Sequence, residues 1–327
     1  EGWSTWGWGA EFAPAGVAYA INYVVSGPVD GIPVLLVHGF GASSYHWRYQ
    51  VPSLAEQGFR VYSVCLLGYG WSPRVKLRYS LEVWATQVNA FLKEVVGGPA
   101  VLVGNSIGGF ASLLAASLDS KLCRGLVLLN AAGSFEARQP GNEEKKKMQM
   151  GDIVAEAAEE AEPGPVQWLF QQAARGVAGW AFYTTKLRIQ SILESVYVNR
   201  EQVDEDLVTS IRSPADHPDA LDTFGEVIQA GRRTQVTVFE ALDNLPVTLP
   251  VLLIWGMKDP WMRPERAAAI RSECAERGIS CDYVEVENAG HCPQDDTPDA
   301  VNNALIEWLL RRKEMEDAPV ATLASTA

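Results

Sequence analysis

The stretch Ala100-Val101-Leu102-Val103-Gly104-Asn105-Ser106-Ile107-Gly108-Gly109-Phe110 runs an apolar segment into a serine held between two glycines, then into residues patterned as a helix over 109–118. This G-x-S-x-G pattern is the sequence form of a nucleophile elbow, and a strand before it with a helix after it is the context that gives it meaning. The turn is so tight that a Cβ at either flanking glycine meets neighbouring backbone, and it lifts the serine hydroxyl to the carboxyl edge of a sheet. The Ile107 N–H then lies at a helix N-terminus, placed to donate to a developing oxyanion.

Outward from the elbow, short β-branched and Leu-rich runs at 34–37, 60–64, 100–103, 125–129, 251–255 and 282–286 alternate with helical patterns. Runs that are apolar throughout belong to strands covered on both faces, so the fold class is α/β with a mostly parallel central sheet and helices on each side. Segment 17–25 alternates and predicts an antiparallel hairpin at the sheet edge. Between 132 and about 245 the pattern is helical without strands, at 153–161, 166–183 and 186–197, while 136–165 mixes Gln, Gly, Pro and charge in the manner of a mobile loop. The expected division is a core over 1–132 and 246–316, a helical cap over 133–245 and a disordered tail over 317–327.

A serine is inert without a base, and the order Ser, Asp, His along the chain suits an elbow of this kind. Of the four histidines, His46 lies in a Trp- and Tyr-rich stretch and His217 in a polar loop. His291 follows the final strand in Ala289-Gly290-His291-Cys292-Pro293 and is the expected base. Asp259, in Trp255-Gly256-Met257-Lys258-Asp259-Pro260-Trp261, follows the penultimate strand and is the expected acid, with Asp282 and Asp295 fitting other positions. His38-Gly39-Phe40-Gly41 follows the strand at 34–37, where the Phe40 N–H is placed as the second oxyanion donor. The His38 side chain is expected to satisfy backbone groups only.

Composition bounds the partners. The 327 residues are 47% hydrophobic and carry a formal charge of −13, which opposes encounter with nucleic acid or a strongly anionic lipid surface. The basic run at 145–147 adjoins Glu143 and Glu144 and reads as a solvated loop. No apolar run approaches the roughly 20 residues that span a bilayer. Five cysteines, an odd number without a CxxC pair, fit a reducing compartment. No metal site and no cofactor are expected.

The chain resembles the plastid α/β hydrolases that include chlorophyll dephytylase and pheophytinase. The likeness lies in Leu35-Leu36-Val37-His38-Gly39-Phe40-Gly41-Ala42-Ser43 with Tyr45-His46-Trp47-Arg48, in Leu66-Leu67-Gly68-Tyr69-Gly70-Trp71-Ser72, in Val103 to Phe110, in Asp259-Pro260-Trp261, in Gly290-His291-Cys292-Pro293 and in Ser195-Val196-Tyr197-Val198. It covers most of residues 16–312 and is weakest over 136–165. It departs at Cys65 and Met257, where such sequences usually carry acidic residues, and at Gln294, where a histidine often stands.

The resemblance implies an α/β-hydrolase fold and hydrolysis of the phytyl ester of chlorophyll or pheophytin, a phytylated tetrapyrrole, in the chloroplast with peripheral thylakoid contact. It places Asn105, Trp261 and Cys292 near substrate, Cys292 as a pocket or packing residue rather than a reactive thiol. Trp168 and Phe170, in an aromatic segment of the cap, either roof the pocket or pack a lid on its own core. Trp3, Trp6 and Trp8 read equally as interfacial anchors, as packing or as disorder. The alternatives are an esterase or acyltransferase acting on another lipid-like ester, and a ligand receptor that keeps the fold without turnover. A serine at 106 disfavours hydrolases whose nucleophile is a carboxylate.

Overall fold

The structure, a computed structural model, describes residues 2–135, 183–184 and 186–317. Eight strands form one sheet: β1 (Gly2–Trp8), β2 (Tyr19–Ser26), β3 (Pro33–Val37), β4 (Arg60–Val64), β5 (Ala100–Asn105), β6 (Cys123–Leu129), β7 (Val251–Gly256) and β8 (Cys281–Val286), in the order β1-β2-β4-β3-β5-β6-β7-β8. From β4 to β8 every neighbouring pair is parallel. The six core strands read from sequence are therefore present, each within two residues of its expected bounds.

Why these runs make a two-faced sheet shows in their alternation. Leu35, Val37, Leu102, Leu126, Leu128 and Leu253 enter one hydrophobic cluster, and Val34, Leu36, Val101, Val103, Val127 and Leu252 enter another. On the first face lie α2 (Leu81–Phe91), through Trp84, and α3 (Ile107–Leu118), through Phe110. On the second lie α1 (Gln50–Glu56), through Leu54, and the carboxyl-terminal helix over residues 298–317, through Trp308. β5 and β7 are buried along their whole length and β3 beyond Pro33, which is why they read as apolar throughout, whereas β8, the last strand in the sheet, keeps partly exposed residues and an exposed Glu285.

The amino-terminal end differs from expectation. Residues 19–26 are not an edge hairpin by themselves; β2 pairs antiparallel with β4 on one side and with β1 on the other, and β1 forms the edge. The tryptophans explain it. Trp6 and Trp8 sit two residues apart on one face, are buried, and pack on Phe91 and Phe12 respectively, while Trp3 is exposed. Packing is thus the role of Trp6 and Trp8.

Beyond β6, the described residues carry α4 (Ile189–Val196), α5 (Glu205–Arg212), α6 (Ala220–Arg233) and α7 (Val238–Asp243), with no strand among them before β7. The helical patterns at 153–161 and 166–182, the loop at 136–165 and the tail from 318 lie outside the described residues. After β7 come α8 (Pro264–Glu276), a short α9 (Pro293–Asp296) and α10 (Pro298–Asp317).

The chain passes from β3 outward to β4, then back across β3 to β5. The loops leaving β3 and β5 therefore diverge, opening a crevice at the carboxyl edge of the sheet where ligands of α/β folds bind.

Candidate active site

At the end of β5 the chain turns through Ser106 with φ 55°, a conformation that L side chains rarely adopt. Such strain persists only when the surroundings enforce it. Here the glycines enforce it: a Cβ at Gly104 would stand 2.4 Å from the Gly108 carbonyl oxygen, and one at Gly108 would stand 2.3 Å from both the Val37 and His38 oxygens. The Ser106 N–H donates to Leu129 O at 3.0 Å, and the Ser106 carbonyl accepts from Phe110 and Ala132. Backbone on both sides of the serine is thus fixed.

The loop after β3 closes against this turn. A Cβ at Gly39 would lie 3.0 Å from Asn105 Oδ1 and 3.2 Å from Ser106 Cβ, so any larger residue there presses on the elbow and its neighbours must give by a few tenths of an ångström. His38 is fully buried, its Nδ1 2.8 Å from Gly39 O and its Nε2 accepting from the Leu66 N–H at 3.0 Å. Burial lowers its pKa to about 4 and keeps it neutral, so it braces the loop, as expected. Among the described residues, neither the Phe40 nor the Ile107 N–H has a hydrogen-bond partner. Phe40 stands at the cavity mouth, 46% exposed.

Asp259 and His291 come together at the ends of β7 and β8. His291 Nδ1 lies 2.7 Å from Asp259 Oδ2, and both side chains are buried. Burial resists ionisation of Asp259, but hydrogen bonds from His291 and from the Trp261 N–H outweigh it and hold the carboxyl below its ordinary range. An ionised Asp259 accepts only, so the imidazole proton sits on Nδ1 and Nε2 is left as the base nitrogen. Ser106 and His291 line one cavity of about 250 Å³, with Phe40, Trp261 and Cys292. The Trp261 ring stands edge-on to the His291 imidazole, centroids 4.9 Å apart.

Several residues act here that the sequence reading did not single out. Asn130, at the end of β6 with φ 41°, donates from Nδ2 to Asp259 Oδ2 at 2.8 Å and accepts the Gly256 N–H at 2.8 Å. Asp296 accepts from the Gly290, Val198 and Asn199 N–H groups, and the His291 N–H donates to Val196 O at 2.9 Å. The loop bearing His291 is thereby fastened to the end of α4.

Asn105 borders the cavity, and its side-chain Nδ2 donates to Leu129 O at 3.1 Å and to His291 O at 3.0 Å, tying the elbow to the histidine loop. Cys292 is buried among Ile189, Leu193 and Val196, and burial pushes its thiol pKa well up, which keeps the sulfur protonated. Trp168 and Phe170 lie outside the described residues. Of the departures noted above, Cys65 is buried beside Ser44, Met257 meets Tyr283, and Gln294 is buried with its carbonyl on Gln50; none lines the cavity.

Comparison with known proteins places these features. The family described as "Alpha/beta hydrolase family" matches over residues 34–304. The chloroplastic pheophytinase of Arabidopsis thaliana is 26% identical over 313 residues, covering 86% of this chain; the chain spans only 62% of that relative's length. Among solved structures, a thermophilic esterase from Thermogutta terrifontis superposes with TM-score 0.67 at 20% identity, covering 94% of this chain and 99% of its own. A serine hydrolase involved in carbazole degradation gives TM-score 0.69 at 20% identity, covering 95% and 100%. At such identities the structural likeness speaks for the fold.

Proposed function

The chain belongs to the alpha/beta hydrolase family, and from that premise we propose that it is a serine ester hydrolase whose substrate is the phytyl ester of chlorophyll or pheophytin. The observation that carries the hydrolase reading is a strained Ser106 sharing one cavity with a His291 whose Nδ1 is engaged by Asp259 at 2.7 Å. His291 Nε2 takes the Ser106 proton as Oγ attacks the ester carbonyl, and the Phe40 and Ile107 N–H groups receive the oxyanion. Collapse of the tetrahedral intermediate expels the alcohol, which takes the proton from His291. A water, deprotonated by the same nitrogen, then releases the acid and restores the serine.

The substrate assignment rests on the quoted sequence motifs, on the likeness to the Arabidopsis pheophytinase and on the apolar cavity wall, where Leu193, Val196, Phe224 and Val227 stand. Each phytyl methylene buried there contributes roughly 0.8 kcal/mol. On this reading residues 133–245 act as a cap over the substrate, and the place of action is the chloroplast, at the thylakoid surface. The test is to incubate the protein separately with chlorophyll a and pheophytin a and to follow free phytol by chromatography. Phytol release is expected, falling about 10⁴ to 10⁶-fold in Ser106→Ala. Undiminished release by the variant contradicts the nucleophile; release from neither pigment, with a simple chromogenic ester still cleaved, contradicts the substrate alone.

A further inference from the structure

The aim of the His291 imidazole rests on few contacts. Asp259 Oδ2 holds Nδ1 at 2.7 Å, and among the described residues no hydrogen-bond partner meets Nε2. A single hydrogen bond fixes one corner of the ring and lets the rest tilt about it. The contact that opposes the tilt is the indole of Trp261, its centroid 4.9 Å from that of the imidazole and the two planes at 62°.

The tryptophan is itself held on both sides. Its backbone N–H donates to Asp259 Oδ1 at 2.7 Å, and Pro260 before it has a fixed φ. Immediately after it, the Met262 carbonyl accepts from Nε1 of the fully buried Trp255, also at 2.7 Å. The loop that carries the indole is thus fastened to the acid at one end and to the core at the other.

The two halves of ester hydrolysis ask different things of this contact. In acylation the Ser106 hydroxyl donates to Nε2 and anchors the imidazole at a second corner. In deacylation Oγ belongs to the acyl ester and has no proton to give, so the ring must stay aimed at a water without help from the serine. Nε2 takes one proton of that water as its oxygen bonds to the acyl carbon. When the bond between that carbon and Oγ breaks, Oγ takes the proton back from Nε2 and the acid leaves. We propose that Trp261 is a positioning residue for deacylation, its indole keeping the imidazole aimed while Ser106 is acylated. The role rests on reading Ser106 as the nucleophile.

The test compares the wild-type chain with Trp261→Leu, Trp261→Met and Trp261→Phe, using p-nitrophenyl butyrate. The indole is 49% exposed, so its replacement leaves the core packed, and two non-aromatic variants guard against the failure of one to fold. Release of p-nitrophenol in the first turnover reads acylation, and the mass of acid-quenched protein over time reads the butyryl group on Ser106 and its decay. In the Leu and Met variants the acyl-enzyme is expected to decay between about 3-fold and 10-fold more slowly, the range that one aromatic pair supports, while acylation changes by less than about 2-fold. Once deacylation limits turnover, kcat and KM then fall together and kcat/KM holds. Trp261→Phe keeps a ring against the imidazole and is expected to recover most of the deacylation rate. Acylation and deacylation slowed alike, a rise in KM alone, or a Phe variant no better than Leu overturns the proposal. Ester cleavage that never leaves an acyl group on Ser106 contradicts the nucleophile and the proposal with it. An acylated Ser106 that turns over equally fast whatever stands at position 261 contradicts the proposal alone.

Discussion

Asn130 shows how much of the site depends on a side chain that never meets substrate. Its amide bridges the Asp259 carboxylate and the Gly256 backbone, linking the ends of β6 and β7. Asn130→Ala leaves a buried carboxylate oxygen one donor short and a strand-end N–H without its acceptor. We expect a loss of about 1–3 kcal/mol in stability, read from urea denaturation, together with a lower kcat as Asp259 loosens. Ser106, Asp259 and His291 were readable because each ends an apolar run inside a recognisable local pattern. A lone Asn after a strand carries no such pattern, and its partner lies 129 positions away.

The joint between α4 and the histidine loop is equally exacting. A Cβ at Gly290 would stand 2.0 Å from Val196 O, the oxygen that also accepts the His291 N–H. Gly290→Ala must therefore part the loop from α4, with an expected cost of about 1–3 kcal/mol or more and a fall in kcat/KM, measured by thermal denaturation and ester hydrolysis. The Asp295 carboxylate of α9 also titrates, held by Arg48 just after the 3-10 turn at Ser44–Trp47 and by Tyr197 at the end of α4. Burial raises the Asp295 pKa from its ordinary 3.8 to about 6, so between these values the folded chain holds a proton that the unfolded chain has released. Stability from this group accordingly falls as pH rises through that window and levels off above it. Urea midpoints from pH 4 to 7 are expected to lose this component in Asp295→Asn. None of these joints was legible beforehand, since the Val196 oxygen and the Gly290 Cβ position are properties of two elements in contact. The amino-terminal strand was missed for a related reason: Trp6 and Trp8 alternate with small residues as a strand does, but only the partner β2 and the ring of Phe91 say that they fold inward.

At the size of the molecule, the parallel sheet was legible because burial on both faces forces continuous apolar runs, and the crossing of β4 and β5 about β3 follows once the order of strands is known. The chemistry converges where that crossing opens the crevice, from three loops whose residues lie far apart in the chain. The substrate is recorded less plainly, because what fills an apolar cavity is set by its shape, and shape is not a pattern in sequence. The serine chemistry can be caught as a covalent bond. Protein incubated with a dialkyl p-nitrophenyl phosphate, digested and examined by mass spectrometry, should carry one dialkylphosphoryl group on Ser106, with His291→Ala labelled far more slowly. An intact Ser106 in protein that still hydrolyses esters, or labelling indifferent to His291, would contradict it.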